Sequence, residues 1–305
     1  MTTFDRLLDI YFRKILELSA LAPPPKSYKF LKFSGDIFRQ FDKYDPGMGQ
    51  ASILLNSANN IANAGIATFK DAKEIVREYL KFESRFVLEN IWIRRENSRY
   101  ILKSFCQKDV KSLNNILNRQ NCVVVCAHTS GLYTIVELLR VIGHQSPFIL
   151  MNMLKQPWDK ATPLQRSVIK TIPSWVEHQE LFFVEDGSVM KKSRESLNCG
   201  RSILVAPDVP GYDQKGVIVN FMGNKIVSGA GAAKLASSCN VPILVAIPYS
   251  ERCDEPYRIF MKIINPTGNV TDDMAQIYSN MEFVVKKYPA CWAGWLYLDK
   301  MLSRL

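Results

Sequence analysis

The sequence predicts an α/β fold: a mostly parallel central sheet flanked by helices, with a helical layer on its N-terminal side. Three observations carry this. Up to about residue 118 the apolar periodicity is helical only. Beyond it, short apolar runs rich in β-branched residues alternate with helical stretches. Those runs are continuous rather than alternating, the pattern of strands covered on both faces.

Phe4, Leu7, Leu8, Tyr11, Ile15 and Leu16 fall at helical spacing among Arg6, Arg13 and Lys14, and Pro23-Pro24-Pro25 ends the segment. A basic amphipathic helix of this kind suits either a membrane surface or the protein's own core. From about 47 to 118, Ile61, Ile66, Phe69, Ile75, Val76, Tyr79, Leu80, Phe86, Val87, Ile91 and Trp92 recur at threes and fours, with no proline between Pro46 and Pro147. The strand runs follow: Val123–Val125, Phe148–Leu150, Leu181–Val184, Ile203–Val205, Val217–Val219, Ile243–Val245 and Tyr257–Met261. Helical stretches intervene at 131–143, 189–199, 230–238 and 271–287. Neither a repeat nor a long linker interrupts the pattern. The expected organisation is therefore a helical region, 1–118, packed on an α/β core, 119–305, that is a single structural unit.

The chain has 305 residues, 47% apolar and 22% charged, enough for a sizeable core. No run reaches the roughly 18 apolar residues that span a bilayer, and no signal peptide opens the sequence. The expected location is cytoplasmic, with peripheral attachment to the inner face of the membrane as a further expectation. Seven scattered cysteines without a Cys-x-x-Cys pair, and only three histidines, point to reduced thiols and no metal site. The net charge of +10 favours acidic partners such as acyl carriers, or an anionic membrane surface. Without zinc-finger spacing or an aromatic RNA-binding motif, nucleic acid is not an expected partner.

Ligands of parallel sheets sit beyond the carboxyl ends of the strands. Two polar residues fall there: His128 past Val125, and Asp208 past Val205. Histidine titrates near neutrality, so at a crevice it can accept a proton from a hydroxyl, amine or thiol. Ser130 and Gly131 turn the chain into a helix whose first N–H groups could hold an oxyanion. Asp208 either caps a backbone turn or lines the site. Gly229-Ala-Gly231 has the outward spacing of a dinucleotide fingerprint, but the strand signal before it, 225–227, is too short, and glycines for close helix–sheet packing explain it better. His144 and His178 sit in polar, loop-like contexts and suit a surface. Ser130 lacks the Gly-x-Ser-x-Gly elbow of a serine nucleophile.

From about Tyr79 to the C-terminus the chain resembles the late acyltransferases of lipid A biosynthesis, within the lysophospholipid acyltransferase superfamily. The block ILVAPDVPGYDQKGVIVNFMGNKIVSGAGAAKLASSCNVPILVAIPY, 203–249, is similar to the family's strand, Pro-Asp, glycine-bearing loop, second strand, small-residue helix start and closing strand. KKYPACWAGWLYLDKM, 286–301, resembles its terminal Pro-x-x-Trp-x-x-Trp segment. The resemblance implies transfer of a fatty acyl group from an acyl carrier protein (acyl-ACP) or acyl-CoA thioester co-substrate, with no bound cofactor. It implies His128 as the general base of a His-x4-Asp/Glu signature. Ser130, Gly131, Gly211 and Gly229 are the substrate-binding candidates.

The chain departs from that signature. Tyr133 stands at the acid position, and a tyrosine cannot stabilise imidazolium as a carboxylate does. Glu137 lies one turn further on, about 6 Å along the helix, and Asp208 comes from another strand end; either is a candidate for the orienting acid. The stretch Ser174–Gln179 lacks the arginine that lipid A enzymes carry there, and the N-terminal membrane helix is replaced by a shorter, more polar segment. These departures imply a specialised hydroxyl or amine acceptor in place of lipid A. The competing reading is a catalytically impaired relative that binds acyl chains or partners an active enzyme.

Overall fold

The computed structural model describes residues 10–24, 26–29, 31, 49–150, 180–184, 187–209 and 216–302. Gly211, His178, the Ser174–Gln179 stretch and the start of the first amphipathic helix lie outside them.

A π-helical turn, Tyr11–Ile15, runs into α1, Leu16–Ser19. Then come α2, Gly49–Asn63, and the 26-residue α3, Phe69–Arg94, whose N-terminus is capped by Thr68 Oγ1 accepting from the Asp71 N–H. The helices α4, Ser98–Lys103, and α5, Gln107–Arg119, complete the layer. The second half of α3 is buried on every side from Phe82 to Ile93. It therefore encloses charges that must find partners inside the protein. Arg85 and Glu89, one turn apart, pair at 2.8 Å with no exposure. Tyr28 and Thr134 hydroxyls donate to the same carboxylate, at 2.5 and 2.6 Å, and the guanidinium lies 3.5 Å from the centre of the Tyr257 ring. This buried network ties the helical layer to the α/β core, and the two share one hydrophobic cluster.

The core has the strands β1, Val123–Val125; β2, Phe148–Leu150; β3, Leu181–Phe183; β4, Ile203–Val205; β7, Ile243–Tyr249; and β8, Arg258–Ile264. They form one six-stranded sheet in the order β3-β2-β4-β1-β7-β8. All neighbours are parallel except β7 and β8, which form an antiparallel edge. Helices α6, Leu132–Val141; α7, Val189–Asn198; α8, Gly231–Cys239; and α9, Val270–Lys287, occupy the connections. A short helix, α10, Leu298–Leu302, follows. The fold is thus the α/β arrangement with an N-terminal helical layer that the periodicity predicts.

Two strands depart from expectation. The run at 217 does not join the main sheet; β5, Val217–Phe221, pairs antiparallel with β6, Asn224–Ser228, as a separate hairpin. The reason is its two-residue turn: Met222 and Gly223 both have positive φ, 53° and 73°, the geometry that folds a strand directly back on itself. The segment around 225–227, too short to read as a strand on its own, is extended by that pairing. Neither Gly229 nor Gly231 packs closely, since a Cβ at either would meet nothing within 4 Å. The close approach is at Gly131, where a Cβ would sit 2.8 Å from the Pro248 ring.

Candidate active site

β1 and β4 are adjacent and in register, with Val125 opposite Val205. His128 is three residues past Val125, and Asp208 three residues past Val205, so both strands deliver a polar side chain to the same level above the sheet. The two meet. His128 Nδ1 lies 2.8 Å from Asp208 Oδ1, and the His128 backbone N–H donates to Asp208 Oδ2 at 2.7 Å. A third donor, Trp292 Nε1–H, reaches Oδ2 at 2.7 Å.

Asp208 is fully buried, which by itself would push its carboxyl up. The neighbouring His128 charge, the His128 ring and Trp292 hydrogen bonds and the His128 N–H together outweigh that burial, and its pKa lies below the ordinary aspartate value. The carboxylate is therefore ionised at neutral pH and holds a proton on Nδ1, which leaves Nε2 as the free base. The imidazole is 27% exposed.

The C-terminal segment walls the site. Its 3₁₀ turns, Pro289–Cys291 and Ala293–Leu296, present backbone to the histidine turn. Ala293 N–H donates to the His128 carbonyl at 2.8 Å, and Ser130 N–H to the Cys291 carbonyl at 2.9 Å. Trp292 stacks edge-on with Trp295 at 4.8 Å and with Phe221 of the hairpin at 5.4 Å. Gly294 lies so close beneath the Trp292 ring that no Cβ fits there. The Tyr297 ring meets His128 edge-on, centroids 6.4 Å apart.

A family model described as bacterial lipid A biosynthesis acyltransferase matches residues 14–300. The chain belongs to that family. It is an acyltransferase of the lipid A acyltransferase type, and no curated protein matches it.

Within the family framework, the site residues distribute as follows. Tyr133, at the signature's acid position, packs its ring against Phe86 at 5.2 Å and Phe148 at 6.4 Å, and burial pushes its hydroxyl up to about 12. Glu137 is buried and receives the Arg140 guanidinium, with Nε 3.0 Å from Oε2. The carboxylate beside His128 is that of Asp208. The Ser130 side chain accepts from the Tyr257 hydroxyl at 3.3 Å, and its N–H is already committed to Cys291. Of the two turn N–H groups, only that of Gly131 lacks an acceptor among the described residues. Gly229 occupies the exposed turn between β6 and α8, with no described contact to His128 or Asp208. His144 engages Asn114 Oδ1 at 2.8 Å.

Sequence reasoning missed Trp292 as the third donor to Asp208, although its Pro-x-x-Trp motif was in plain view. It also missed Tyr297, whose ring edge faces His128 and which no motif marks. The equal offset of His128 and Asp208 from their strands is the signal that could have selected Asp208 over Glu137. No helix among the described residues is long and apolar enough to cross a membrane.

Proposed function

We propose that this chain moves an acyl group from an acyl carrier protein or CoA thioester to a hydroxyl or amine acceptor, with His128 as general base and Asp208 as its orienting acid. The observation that supports this is the fully buried Asp208 carboxylate, which accepts from His128 Nδ1, the His128 N–H and Trp292 at once. That arrangement fixes the tautomer and can stabilise the imidazolium that forms during transfer.

His128 Nε2 takes the proton of the acceptor's nucleophile as the new bond forms to the thioester carbonyl carbon. When the C–S bond breaks, the same proton passes to the departing thiolate. The Gly131 N–H is the backbone donor left to steady the oxyanion. The +10 net charge suits an acidic carrier or the phosphates of CoA. Exposed Leu18 and Leu21, about 70% accessible each, with the exposed Lys14, suit peripheral contact with an anionic membrane. Cytoplasmic placement follows from that donor pool. Tyr133 in place of an acid, and no arginine within Ser174–Gln179, favour a specialised acceptor over lipid A.

The reading of an impaired acyl-binding relative drew on the missing acid at Tyr133. Asp208 weighs against it, because a carboxylate stands beside the base after all. The test is thiol release from acyl-CoA and acyl-carrier thioesters by wild type and His128→Ala. A loss of about 10³-fold is expected from removal of the base. Equal rates would refute the assignment of His128. Absence of turnover in wild type, with acyl chains retained in native mass spectrometry, would favour the binding reading.

A further inference from the structure

The buried ion pair of α3 reaches the turn after His128 at two points. Arg85 and Glu89 pair at 2.8 Å with no exposure. Glu89 Oε2 accepts the Thr134 hydroxyl at 2.6 Å, in the first turn of α6. On the other side of the pair, the Arg85 guanidinium lies 3.5 Å from the centre of the Tyr257 ring, and the Tyr257 hydroxyl donates to Ser130 Oγ at 3.3 Å. Ser130 and Thr134 bracket Gly131, the N-cap of α6.

Gly131 has no side chain to anchor it, and its neighbours come close instead. A Cβ there would sit 2.8 Å from Pro248 Cβ and 3.3 Å from Tyr257 Cζ, so the residue lies against the same ring that Arg85 covers. Tyr257 is itself fixed along its backbone. Its N–H donates to the Ser104 carbonyl at 2.7 Å, and its carbonyl accepts from the Cys106 N–H at 2.8 Å. Arg85 Nη2 reaches the same Ser104 carbonyl at 3.2 Å, and the Tyr28 hydroxyl completes Glu89 Oε1 at 2.5 Å. Well-packed apolar residues could fill this space with no loss of stability, because burying an ion pair costs desolvation. They could not orient hydroxyl-bearing residues on both sides of a reacting N–H.

We propose that the Arg85–Glu89 pair, through Tyr257 and Thr134, positions the Gly131 N–H that steadies the oxyanion. All four are positioning residues, acting through Gly131 rather than on the reacting atoms. An oxyanion donor contributes only when it is preset where the charge develops, so a small rotation of the Gly131 peptide forfeits much of its effect. The inference rests on the proposed acyl transfer, with the Gly131 N–H as its oxyanion donor. It leaves the His128–Asp208 pair untouched, so losing either contact slows the reaction without altering the protonation of the base.

The experiment has two arms and three variants of the full chain. Tyr257→Phe keeps the ring and removes one hydroxyl, Thr134→Val keeps the shape and removes the other, and Thr134→Ser restores a hydroxyl. In the first arm the chain is labelled with 15N-glycine and the amide resonance of Gly131 is followed. It should shift in Tyr257→Phe and Thr134→Val and return toward its wild-type position in Thr134→Ser. The second arm measures thiol release from an acyl-CoA thioester and from its dithioester analogue, whose C=S carbon yields a sulfur anion that a site shaped for oxygen holds poorly. In Tyr257→Phe and Thr134→Val, kcat on the thioester should fall about tenfold, part of the roughly 10²- to 10³-fold lost with a whole oxyanion donor. The KM and the pH profile should stay in place, and the preference for thioester over dithioester should shrink by a similar factor. A merely structural role would lower Tm and leave that preference at the wild-type value. If Thr134→Val does not fold, Tyr257→Phe carries both arms. An unmoved Gly131 resonance, or an undiminished thioester preference, overturns the proposal. If wild type releases no thiol, or His128→Ala is as fast as wild type, the acyl-transfer reading fails, and the resonance arm still decides whether the pair holds Gly131.

Discussion

Asp208→Asn separates a catalytic carboxylate from a structural one, because the geometry dictates how the amide must sit. The Asp208 Oδ2 atom accepts both the His128 N–H and Trp292 Nε1–H, each at 2.7 Å. An asparagine keeps these two bonds by placing its carbonyl oxygen there. Its NH2 group must then face His128 Nδ1, where the carboxylate Oδ1 stood at 2.8 Å. Two donors cannot face each other, so the imidazole shifts its proton to Nε2, and the atom that should accept the acceptor's proton is blocked. The expected loss in kcat is about 10³- to 10⁴-fold, the scale of general-base and tautomer effects, equivalent to about 4–5.5 kcal/mol of barrier. Two neutral hydrogen bonds replace charge-assisted ones, costing about 1 kcal/mol each in stability, so the fold should survive with a lowered Tm. Thiol release from an acyl thioester measures the rate, and near-UV circular dichroism reports the tryptophan environment. A folded Asp208→Asn protein with kcat within about tenfold of wild type would refute the orienting role.

Trp292→Phe keeps most of the packing against Phe221 and Trp295 but removes the indole donor; kcat should fall by roughly tenfold, the value of one charge-assisted hydrogen bond, and a larger loss accompanied by unfolding would mean that the ring holds the wall rather than the carboxylate. Glu83 gives a pH signature. Its folded-state value, about 7 against an ordinary 4.5, means that the folded protein binds the extra proton. Its contribution is complete below about pH 4.5 and is lost as pH rises through 7, amounting to about 3 kcal/mol. Urea unfolding across that window should show this decline in wild type and a flatter profile in Glu83→Gln; parallel profiles would mean that Glu83 does not titrate there.

Much of the architecture is legible locally. Continuous runs such as Val123–Val125 and Ile203–Val205 need cover on both faces, and helical periodicity between them supplies it. The hairpin is less so. Its turn, Met222-Gly223, requires positive φ at a methionine, which no turn rule would place there, and only pairing with β5 makes β6 visible. At the site, His128 is read from its position past a strand, whereas the choice between Glu137 and Asp208 is not, since both lie within plausible reach of a histidine whose neighbours in space are unknown.

The sequence by itself determined the class of fold and the family, and singled out His128 as the candidate base, because periodicity, strand ends and ordered motifs are written within short windows. Only the tertiary structure decided which acid stands beside that histidine. Strand order is set by pairing between β1 and β4, 80 residues apart from Val123 to Ile203, and no local pattern encodes it. The same holds for Trp292, delivered from the far end of the chain, and for Glu83. A glutamate on an amphipathic helix reads as solvent-facing until other layers close over it, and its burial is a property of that closure alone.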